Sequence, residues 1–268
     1  MPYLITTISN FYAFSSSGGN AGHAAAMAGR TLGIPVEIFV PTTTLPLMVH
    51  KLQLTGATVR MGGANWNEAD QQARLFLQTT PNAQYVHPFD HPLIWEGHAT
   101  LVDELATQLT SPPDVIVVSV GGGGLLRGIQ LGCISNHWTN TKILAIETTG
   151  TASFHAAKQV NQVVSLACID SIATTLGALQ VTPSVLDPII HTTSVVVTDG
   201  QAVGGLVGYA DECNMLVEPS CGASLSLLYT PSLFEEHLAS YSSVVFVVCG
   251  GGAVSLDMIQ KWRERFGV

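Results

Sequence analysis

The sequence has few charged residues, and most of them are acidic. Only 11% of its 268 residues are charged, with 10 Lys and Arg against 19 Asp and Glu, which gives a formal net charge of -9. Proteins that bind nucleic acids present a basic face to the phosphate backbone, and no such face is visible here, so we expect no nucleic-acid partner. A hydrophobic content of 47% with so little charge is typical of buried parallel strands.

The sequence also lacks long apolar runs, paired cysteines and a basic leader. No uninterrupted apolar run reaches the roughly 20 residues that span a membrane, so we expect no membrane partner. The first seven residues lack the basic start of a secretory signal. The five cysteines are odd in number and show no zinc-site spacing with histidine. Reduced thiols and a cytoplasmic location are therefore expected.

The most informative stretch joins a β-branched run to four consecutive glycines. Residues 115–118 read Val-Ile-Val-Val and predict a buried strand, and residues 121–124 are all glycine before an apolar segment of helical character. Glycine lets a ligand approach the backbone closely, and free N–H groups at a helix N-terminus bind anions. The stretch therefore predicts a phosphate site, although it matches neither a Walker loop nor Gly-x-Gly-x-x-Gly. A plain glycine-rich turn is the alternative interpretation.

Strand and helix patterns alternate along the chain. This alternation predicts an α/β fold with open parallel sheets, right-handed crossovers and two lobes, a small one over 1–88 and a large one over 89–268. Asn65 or Asn67 is the predicted cap of the third helix, and Asp199 that of a later one. Strands are predicted at 12–16, 36–40, 58–61, 85–86, 115–120, 143–146, 194–198 and 244–248. Helices are predicted at 21–32, up to about 54 from Pro41-Thr42, up to about 78, 94–109, 152–160, 199–214, 219–228 and 256–265.

Two further loops follow predicted strands, where open α/β sheets bind their ligands. Ser17-Gly18-Gly19-Asn20 precedes a helix and offers hydroxyl, amide and backbone donors that suit a carboxylate or a phenolic oxygen. An ordinary Ser or Asn helix cap is the alternative. Cys249 closes an apolar strand and is followed by three glycines. Its thiol either serves the site or is an inert core group.

Several segments, in the same order along residues 12–268, resemble those of the serine/threonine dehydratases, which are fold type II pyridoxal-phosphate enzymes. The similarity is greatest to the L-serine dehydratase branch, and its segments are 16–22, 88–90, 92–98, 119–126, 147–148, 153–157, 216–219, 221–223 and 248–251. The resemblance implies a two-lobed fold of the tryptophan-synthase-β type. It also implies the β-elimination of L-serine to pyruvate and ammonia, with L-threonine to 2-oxobutanoate as an open alternative.

The resemblance further implies which residues form the site. Backbone N–H groups would bind the cofactor phosphate at Gly121, Gly122, Gly123, Gly124 and Leu125. Asn20 would hydrogen-bond the phenolic oxygen of pyridoxal phosphate, and Cys249 would face the pyridine nitrogen. Ser17, with the backbone of Gly18 and Ala21, would hold the carboxylate of a small amino-acid substrate. A neutral thiol at the ring nitrogen would favour elimination over transamination.

A monovalent-cation site made of backbone carbonyls is implied as well, with potassium as its ion. Its carbonyls would come from Gly121, Thr151, Leu176 and Ala178. Glu147 lies near that site in the resemblance, and its alternative role is a carboxylate that organises loops at a strand end. A homodimer is also expected.

Lysine is the point at which the sequence departs from the family. The family's Schiff-base lysine lies in a Ser-x-x-Lys-x-Arg-Gly-like segment, upstream of the stretch that matches Ser17. The only lysines here, Lys51, Lys142, Lys158 and Lys261, lie elsewhere and are expected to be solvated. We therefore expect no catalytic residue in this chain, which should bind the cofactor without turning over serine. We also expect poor stability, because the upstream segment would cover part of the large lobe.

Two other functions compete with that of an ammonia-lyase. The missing lysine favours a shortened, non-catalytic isoform that binds the cofactor or a partner protein, whereas the intact glycine, serine and cysteine loops favour a functional parent enzyme. A dinucleotide-dependent oxidoreductase is disfavoured, because the sequence lacks both the fingerprint and the ribose-binding acid that follows it.

Overall fold

Two parallel sheets carry the fold. The computed structural model of the chain describes residues 11–64, 66–187 and 190–268, and the chain divides into two units, Met1–Pro88 and Phe89–Val268. In the described residues each unit holds one four-stranded sheet, and every strand pairing is parallel. The α/β prediction with open parallel sheets is therefore confirmed. No helix in these ranges is long and apolar enough to span a bilayer.

The first unit builds its sheet in the order β3-β2-β1-β4. Phe14, Ile38 and Val40 are fully buried in its core. Ile38 and Val40 belong to one buried hydrophobic cluster and Phe14 to another. The strands are β1 Tyr12–Ser15, β2 Val36–Val40, β3 Thr58–Met61 and β4 Ala83–Tyr85. The helices are α1 Asn20–Leu32, α2 Pro46–Leu54 and α3 Trp66–Thr79.

The second unit builds its sheet in the order β7-β6-β5-β8. Its strands are β5 Val115–Ser119, β6 Lys142–Thr148, β7 Thr192–Val197 and β8 Val244–Phe246. Its helices are α4 Pro92–Gln108, α5 Gly124–Ser135, α6 Ser153–Val160, α7 Asp199–Cys213, α8 Pro219–Tyr229, α9 Pro231–His237 and α10 Leu256–Phe266. Three short 3₁₀ turns lie at Thr149–Thr151, Thr174–Leu176 and Pro183–Leu186.

Strand β5 is buried on both faces, which explains its unbroken run of β-branched residues. Ile116 and Val118 pack into a cluster with residues of α4 and α5, and Val115 and Val117 pack into a separate cluster with residues of α8. A strand between two helical layers has no solvent face, so its sequence need not alternate. This burial fixes the point at which the four glycines emerge from the sheet.

The helix caps differ from those that the sequence suggests. Asp199 was predicted to cap α7, and this is wrong. The cap is Thr198, whose side chain accepts a hydrogen bond from the N–H of Gln201 at 3.2 Å. The Asp199 carboxylate instead accepts bonds from Ser171 Oγ at 2.6 Å and Ile172 N at 3.0 Å, which tie it to another loop.

The structure also defines where α2 and α3 begin, and it contains a helix, α9, that the sequence did not predict. Helix α2 begins at Pro46, at the helix position that proline tolerates best. Helix α3 begins at Trp66, so Asn67 lies inside it and cannot be its cap, while Asn65 lies outside the described residues. Helix α9 was not predicted, because at Pro231–His237 it is too short for a periodic pattern.

Candidate functional site

The glycine loop between β5 and α5 ends in an uncapped helix. Gly123 is the N-cap of α5 with φ of 87°, and no side chain caps the helix. The first N–H groups of a helix have no acceptor within it, and the helix dipole adds partial positive charge at the same end. The loop therefore offers backbone donors to an anion, as predicted for a phosphate.

Phe89 explains why the loop needs glycine. A Cβ on Gly122 would lie 2.3 Å from Cγ of Phe89, and one on Gly124 would lie 2.5 Å from the Phe89 carbonyl oxygen. That oxygen accepts a hydrogen bond from Trp95 Nε1 at 2.8 Å, so it is held in place. Packing against Phe89 therefore requires glycine at both positions and leaves the backbone of the loop bare. No local pattern in the sequence indicates that Phe89 lies beneath the loop.

Thr182 fastens the same loop from another direction. Its N–H donates to the Gly122 carbonyl at 2.9 Å, and its hydroxyl donates to Asp90 Oδ1 at 2.5 Å. These two bonds hold the glycine loop from outside. Sequence reasoning missed Thr182, since no local motif marks it.

Glu218 holds the loop that carries Cys249. Its N–H donates to the Gly250 carbonyl at 2.9 Å, and its carboxylate accepts from Ala253 N at 2.6 Å and from Thr175 Oγ1 at 2.7 Å. Glu218 is 2% exposed. A Cβ on Gly251 would lie 2.2 Å from Cδ of Glu218, so glycine at that position permits the close contact.

Cys249 is exposed, and its thiol is hydrogen-bonded to that of Cys221 in α8. The hydrogen bond from Cys221 lowers the pKa of Cys249, against the opposing effects of burial and of the nearby Glu218 charge. The same hydrogen bond, with burial, raises the pKa of Cys221. Cys249 is therefore not an inert core thiol.

The carbonyls proposed for a cation lie on three loops. The Cβ position of Gly121 is 3.4 Å from the Leu176 carbonyl oxygen, so these two residues are adjacent. The Leu176 carbonyl accepts the N–H of Ala178 at 2.8 Å. Thr151 is fully buried at the end of a separate 3₁₀ turn. In the described part of the chain, no cluster of three or more His, Cys, Asp or Glu side chains could hold a metal ion.

Glu147 caps a helix. It is fully buried at the end of β6, and its carboxylate accepts from Phe154 N and His155 N, at 2.7 Å each, in the first turn of α6. Burial raises the pKa of Glu147 to about 7, against the lowering effect of these hydrogen bonds. The contacts support the interpretation that Glu147 organises the loop between β6 and α6.

We predict that Glu147 makes the free energy of unfolding fall as the pH rises. Its pKa in the folded chain, about 7, lies above the ordinary glutamate pKa of 4.5. Between these two pKa values the unfolded chain releases a proton that the folded chain keeps. The contribution of Glu147 to the free energy of unfolding is therefore complete below the lower pKa and is lost as the pH rises through the higher pKa. The expected loss is up to about 3 kcal/mol.

Denaturant unfolding at pH 4.5–8 of the native chain and of Glu147→Gln measures this effect. The Gln variant cannot ionise, so the difference between the two stability curves isolates Glu147 from other carboxyl groups. A constant difference across this range would contradict the prediction.

The serine loop, Ser17-Gly18-Gly19-Asn20, lies in the first unit. Ser17 Oγ accepts a hydrogen bond from Gly19 N at 3.3 Å, and the N-cap of α1 is Gly19, with no side-chain cap bond. The alternative of an ordinary Ser or Asn cap is therefore wrong. A Cβ on Gly18 would lie 2.8 Å from Thr44 Oγ1. Asn20 is exposed and Ala21 is half-buried in the first turn.

Comparison with known proteins identifies the family. The sequence profile described as "Pyridoxal-phosphate dependent enzyme" matches residues 12–250. The chain belongs to the pyridoxal-phosphate-dependent enzymes. It is 43% identical to a mouse protein named serine dehydratase-like over 259 residues, which are 94% of this chain and 78% of the relative. It is 40% identical to human L-serine dehydratase/L-threonine deaminase over 263 residues, 94% and 79% of the two chains.

Solved structures agree with this family. The crystal structure of a fungal L-serine ammonia-lyase from Rhizomucor miehei has a TM-score of 0.87 and 32% identity, and the match covers 97% of this chain and 84% of that one. A threonine deaminase from Solanum lycopersicum, at 23% identity and a TM-score of 0.85 over 96% and 74% of the two chains, supports the fold alone. The predicted family and its fold type II architecture are confirmed.

The four lysines of the chain make different contacts. Lys142 lies 5.2 Å above the Tyr241 ring, and Lys261 pairs with Asp257 at 2.7 Å. The Lys158 amine donates to a backbone carbonyl, and burial lowers its pKa. Lys51 lies in α2 and is half-buried, whereas the other three lysines are exposed.

Proposed function

We propose that this chain carries the cofactor- and substrate-binding loops of an ammonia-lyase that converts L-serine to pyruvate and ammonia. The observation that carries the proposal is the uncapped helix α5 behind a loop whose glycines pack on Phe89. The relatives named for serine dehydration or L-serine ammonia-lyase activity support the reaction. L-Threonine is the second substrate to test, because the human relative carries both names.

The glycine loop would hold the phosphate of the cofactor. The N–H groups of Gly121–Gly124 and Leu125 would donate to its oxygens, and the positive end of the α5 dipole would stabilise its charge. Bound pyridoxal phosphate supplies an electron sink for charge that develops on the substrate's α-carbon. In this arrangement the backbone N–H groups and the helix dipole would hold the phosphate without a positively charged side chain.

Cys249 would orient the other end of the cofactor ring. Its thiol would donate a hydrogen bond to the pyridine nitrogen while accepting one from Cys221, the contact observed here. A thiol does not stabilise a protonated ring nitrogen as a carboxylate does, so elimination is favoured over transamination. Glu218 would keep the thiol in place through its bonds to the loop.

The serine loop would serve the substrate. Ser17 Oγ and the N–H groups of Gly18 and Ala21 are donors of the kind that bind a carboxylate. Asn20 would donate to the phenolic oxygen of the cofactor. The amino acid would thus be fixed by its carboxylate, and its hydroxyl would be left free to depart.

A non-catalytic role is the second candidate. This role is favoured because none of the four lysines lies in a segment like the family's Ser-x-x-Lys-x-Arg-Gly. In that case the chain would bind pyridoxal phosphate and act as a cofactor-binding or interaction protein. Cytoplasmic location and a homodimer remain proposals, supported by the free thiols and by the family resemblance, respectively.

Pyruvate formation tests the ammonia-lyase proposal. The chain is extended upstream with a Ser-x-x-Lys-x-Arg-Gly segment of the family and assayed with L-serine and L-threonine. The matched control replaces only the lysine of that segment with alanine. Turnover by the first protein and none by the second is expected, since this lysine is the α-proton base. An extended chain that binds the cofactor but acts on neither amino acid would refute the proposal.

A potassium site at Gly121, Thr151, Leu176 and Ala178 is also proposed. Carbonyl oxygens without a carboxylate suit a weakly held monovalent ion. An ion at ten times its dissociation constant would stabilise the folded chain by about 1.4 kcal/mol. We therefore predict that the melting temperature rises by about 3–5 °C in potassium relative to tetramethylammonium at equal ionic strength. Equal melting temperatures would count against the site.

A further inference from the structure

Two cysteines from different elements meet beside β8. Cys221 lies in the first turn of α8 and Cys249 in the loop after β8, and their thiols are hydrogen-bonded to each other. The Cys221 sulfur also accepts the N–H groups of Cys249 and Gly250. Backbone hydrogen bonds join the same segments, from the Cys221 N–H to the Glu218 carbonyl and from the Glu218 N–H to the Gly250 carbonyl, at 2.9 Å each. The two cysteines are therefore held next to each other.

The two cysteine residues differ in exposure. Cys249 is exposed, whereas Cys221 is only 5% exposed and packs among Val217, Leu225 and Ile259. A reagent in solution would therefore reach Cys249 first. Cys221 would then be the neighbouring thiol that attacks the oxidised Cys249 sulfur.

The proton distribution matches this difference in access. The hydrogen bond from Cys221 favours the thiolate on Cys249, and the nearby Glu218 carboxylate opposes it. Since the thiolate is the nucleophile, the exposed sulfur is the one prepared to attack. The buried sulfur keeps its proton as long as Cys249 is ionised.

We propose that Cys221 and Cys249 form a dithiol that a small disulfide, such as oxidised glutathione, converts to an intramolecular disulfide. This would be a modification site beside the proposed cofactor position. The existence of the dithiol does not depend on the proposed function. Only its consequence for the cofactor rests on that function.

The reaction takes two exchange steps. The Cys249 thiolate attacks one sulfur of the reagent, whose S–S bond breaks to release one thiolate and leave a mixed disulfide. Cys221 then loses its proton, because its thiol no longer faces a negative sulfur and the N–H groups of Cys249 and Gly250 stabilise its thiolate. Its attack on the Cys249 sulfur releases the second thiolate. The pair gives up two electrons and two protons, and the reagent becomes two thiols.

The loop after β8 can accommodate the change. Gly250 and Gly251 have φ values of 80° and 100°, which favour glycine. A disulfide demands a defined separation of the two Cβ atoms. Three successive glycines let Cys249 adjust its backbone toward Cys221, while α8 remains fixed in the core.

Peptide mapping tests the dithiol in the chain without cofactor. The chain is incubated with oxidised glutathione, its remaining thiols are alkylated, and it is cleaved after methionine with cyanogen bromide and then after glutamate. Cleavage after Met215 separates Cys213 from Cys221, because Pro219 blocks cleavage after Glu218, and cleavage after Glu235 and Glu236 separates Cys221 from Cys249. We expect peptides 216–235 and 237–258 to be joined, with a mass two hydrogens below their sum. The proposal would be overturned if both thiols were found alkylated after oxidation. A disulfide from either of them to Cys168 or Cys213 would overturn it as well.

Serine variants test the order of the steps. Cys221→Ser should accumulate one glutathione on Cys249, because the resolving thiol is gone. Cys249→Ser should leave Cys221 reduced, and Cys213→Ser, at another exposed cysteine, should behave as the native chain does. A native mixed disulfide that never resolves, or a glutathionylated Cys221 in Cys249→Ser, would contradict the assigned roles. Circular dichroism checks that each variant is folded.

Pyridoxal phosphate separates this inference from the proposed function. If the cofactor covers Cys249, saturation should slow disulfide formation by at least about tenfold, because a covered thiolate cannot react. Disulfide formation at an unchanged rate with bound cofactor would refute the position of Cys249 at the ring. The dithiol itself would stand in that case.

Discussion

Borohydride reduction of the 268-residue chain saturated with pyridoxal phosphate is expected to leave its lysines without a stoichiometric pyridoxyl label. The same sample should form no pyruvate from L-serine above the rate with cofactor alone. In this family one lysine is both the covalent anchor of the cofactor and the base for the α-proton, and neither role has another candidate here. The measurement is peptide mass mapping after reduction, beside a pyruvate assay.

Lys158 is the strictest test of this expectation. Burial lowers its pKa, so its amine has a larger neutral fraction than a solvated lysine. The amine nevertheless donates to the carbonyl of Thr192 at the start of β7. Thr192 is level with Ile116 at the start of β5, whereas the glycine loop follows the other end of that strand. Lys261 is the matched control, because its ion pair with Asp257 raises its pKa. A full label on any lysine together with serine turnover would make the chain a complete enzyme.

Gly122→Asp is expected to weaken pyridoxal phosphate binding at least about tenfold, which corresponds to about 1.4 kcal/mol. Its carboxylate would repel the phosphate, and its Cβ would displace the Phe89 ring from which it would lie only 2.3 Å away. Fluorescence titration with pyridoxal phosphate and with pyridoxal measures the effect. The native chain should prefer the phosphorylated form, and the variant should lose that preference.

Gly204→Asp is the matched control for the added charge. Gly204 lies in the middle of α7, and a Cβ there meets no atom within 4 Å. This variant should therefore bind pyridoxal phosphate as the native chain does. Melting curves of both variants separate lost binding from lost folding. Unchanged affinity in a folded Gly122→Asp chain would remove the glycine loop from the phosphate site.

Local patterns made much of the second unit predictable. The run Val115–Ser119, the glycines after it and the helix from Gly124 each carry a signal within a few residues, and the structure has all three. Predictions erred where two residue types compete locally. Thr198 and Asp199 are both good caps, and only the position of the loop at Ser171 decides between them.

The contacts that shape the candidate site were beyond the reach of the sequence. Phe89 under Gly122, Glu218 against Gly251 and the thiol of Cys221 against Cys249 join segments far apart in the chain. Their meeting follows from the strand order β7-β6-β5-β8, which local periodicity does not encode. Sequence patterns therefore predicted the loops, whereas their supporting residues needed the fold.

The pairing of β5 with β8 has a consequence for how the chain folds during synthesis. Val115 pairs with Val244, and the Asp114 carboxylate accepts N–H groups from Ser242 and Ser243 at 2.8 and 3.0 Å. A growing chain cannot complete its second sheet until β8, at Val244–Phe246, has left the ribosome. Contacts of such long sequence separation form slowly, and until then one edge of the most apolar strand has no partner. Nascent chains stalled before β8 should therefore depend on chaperones, whereas the first unit can fold much earlier.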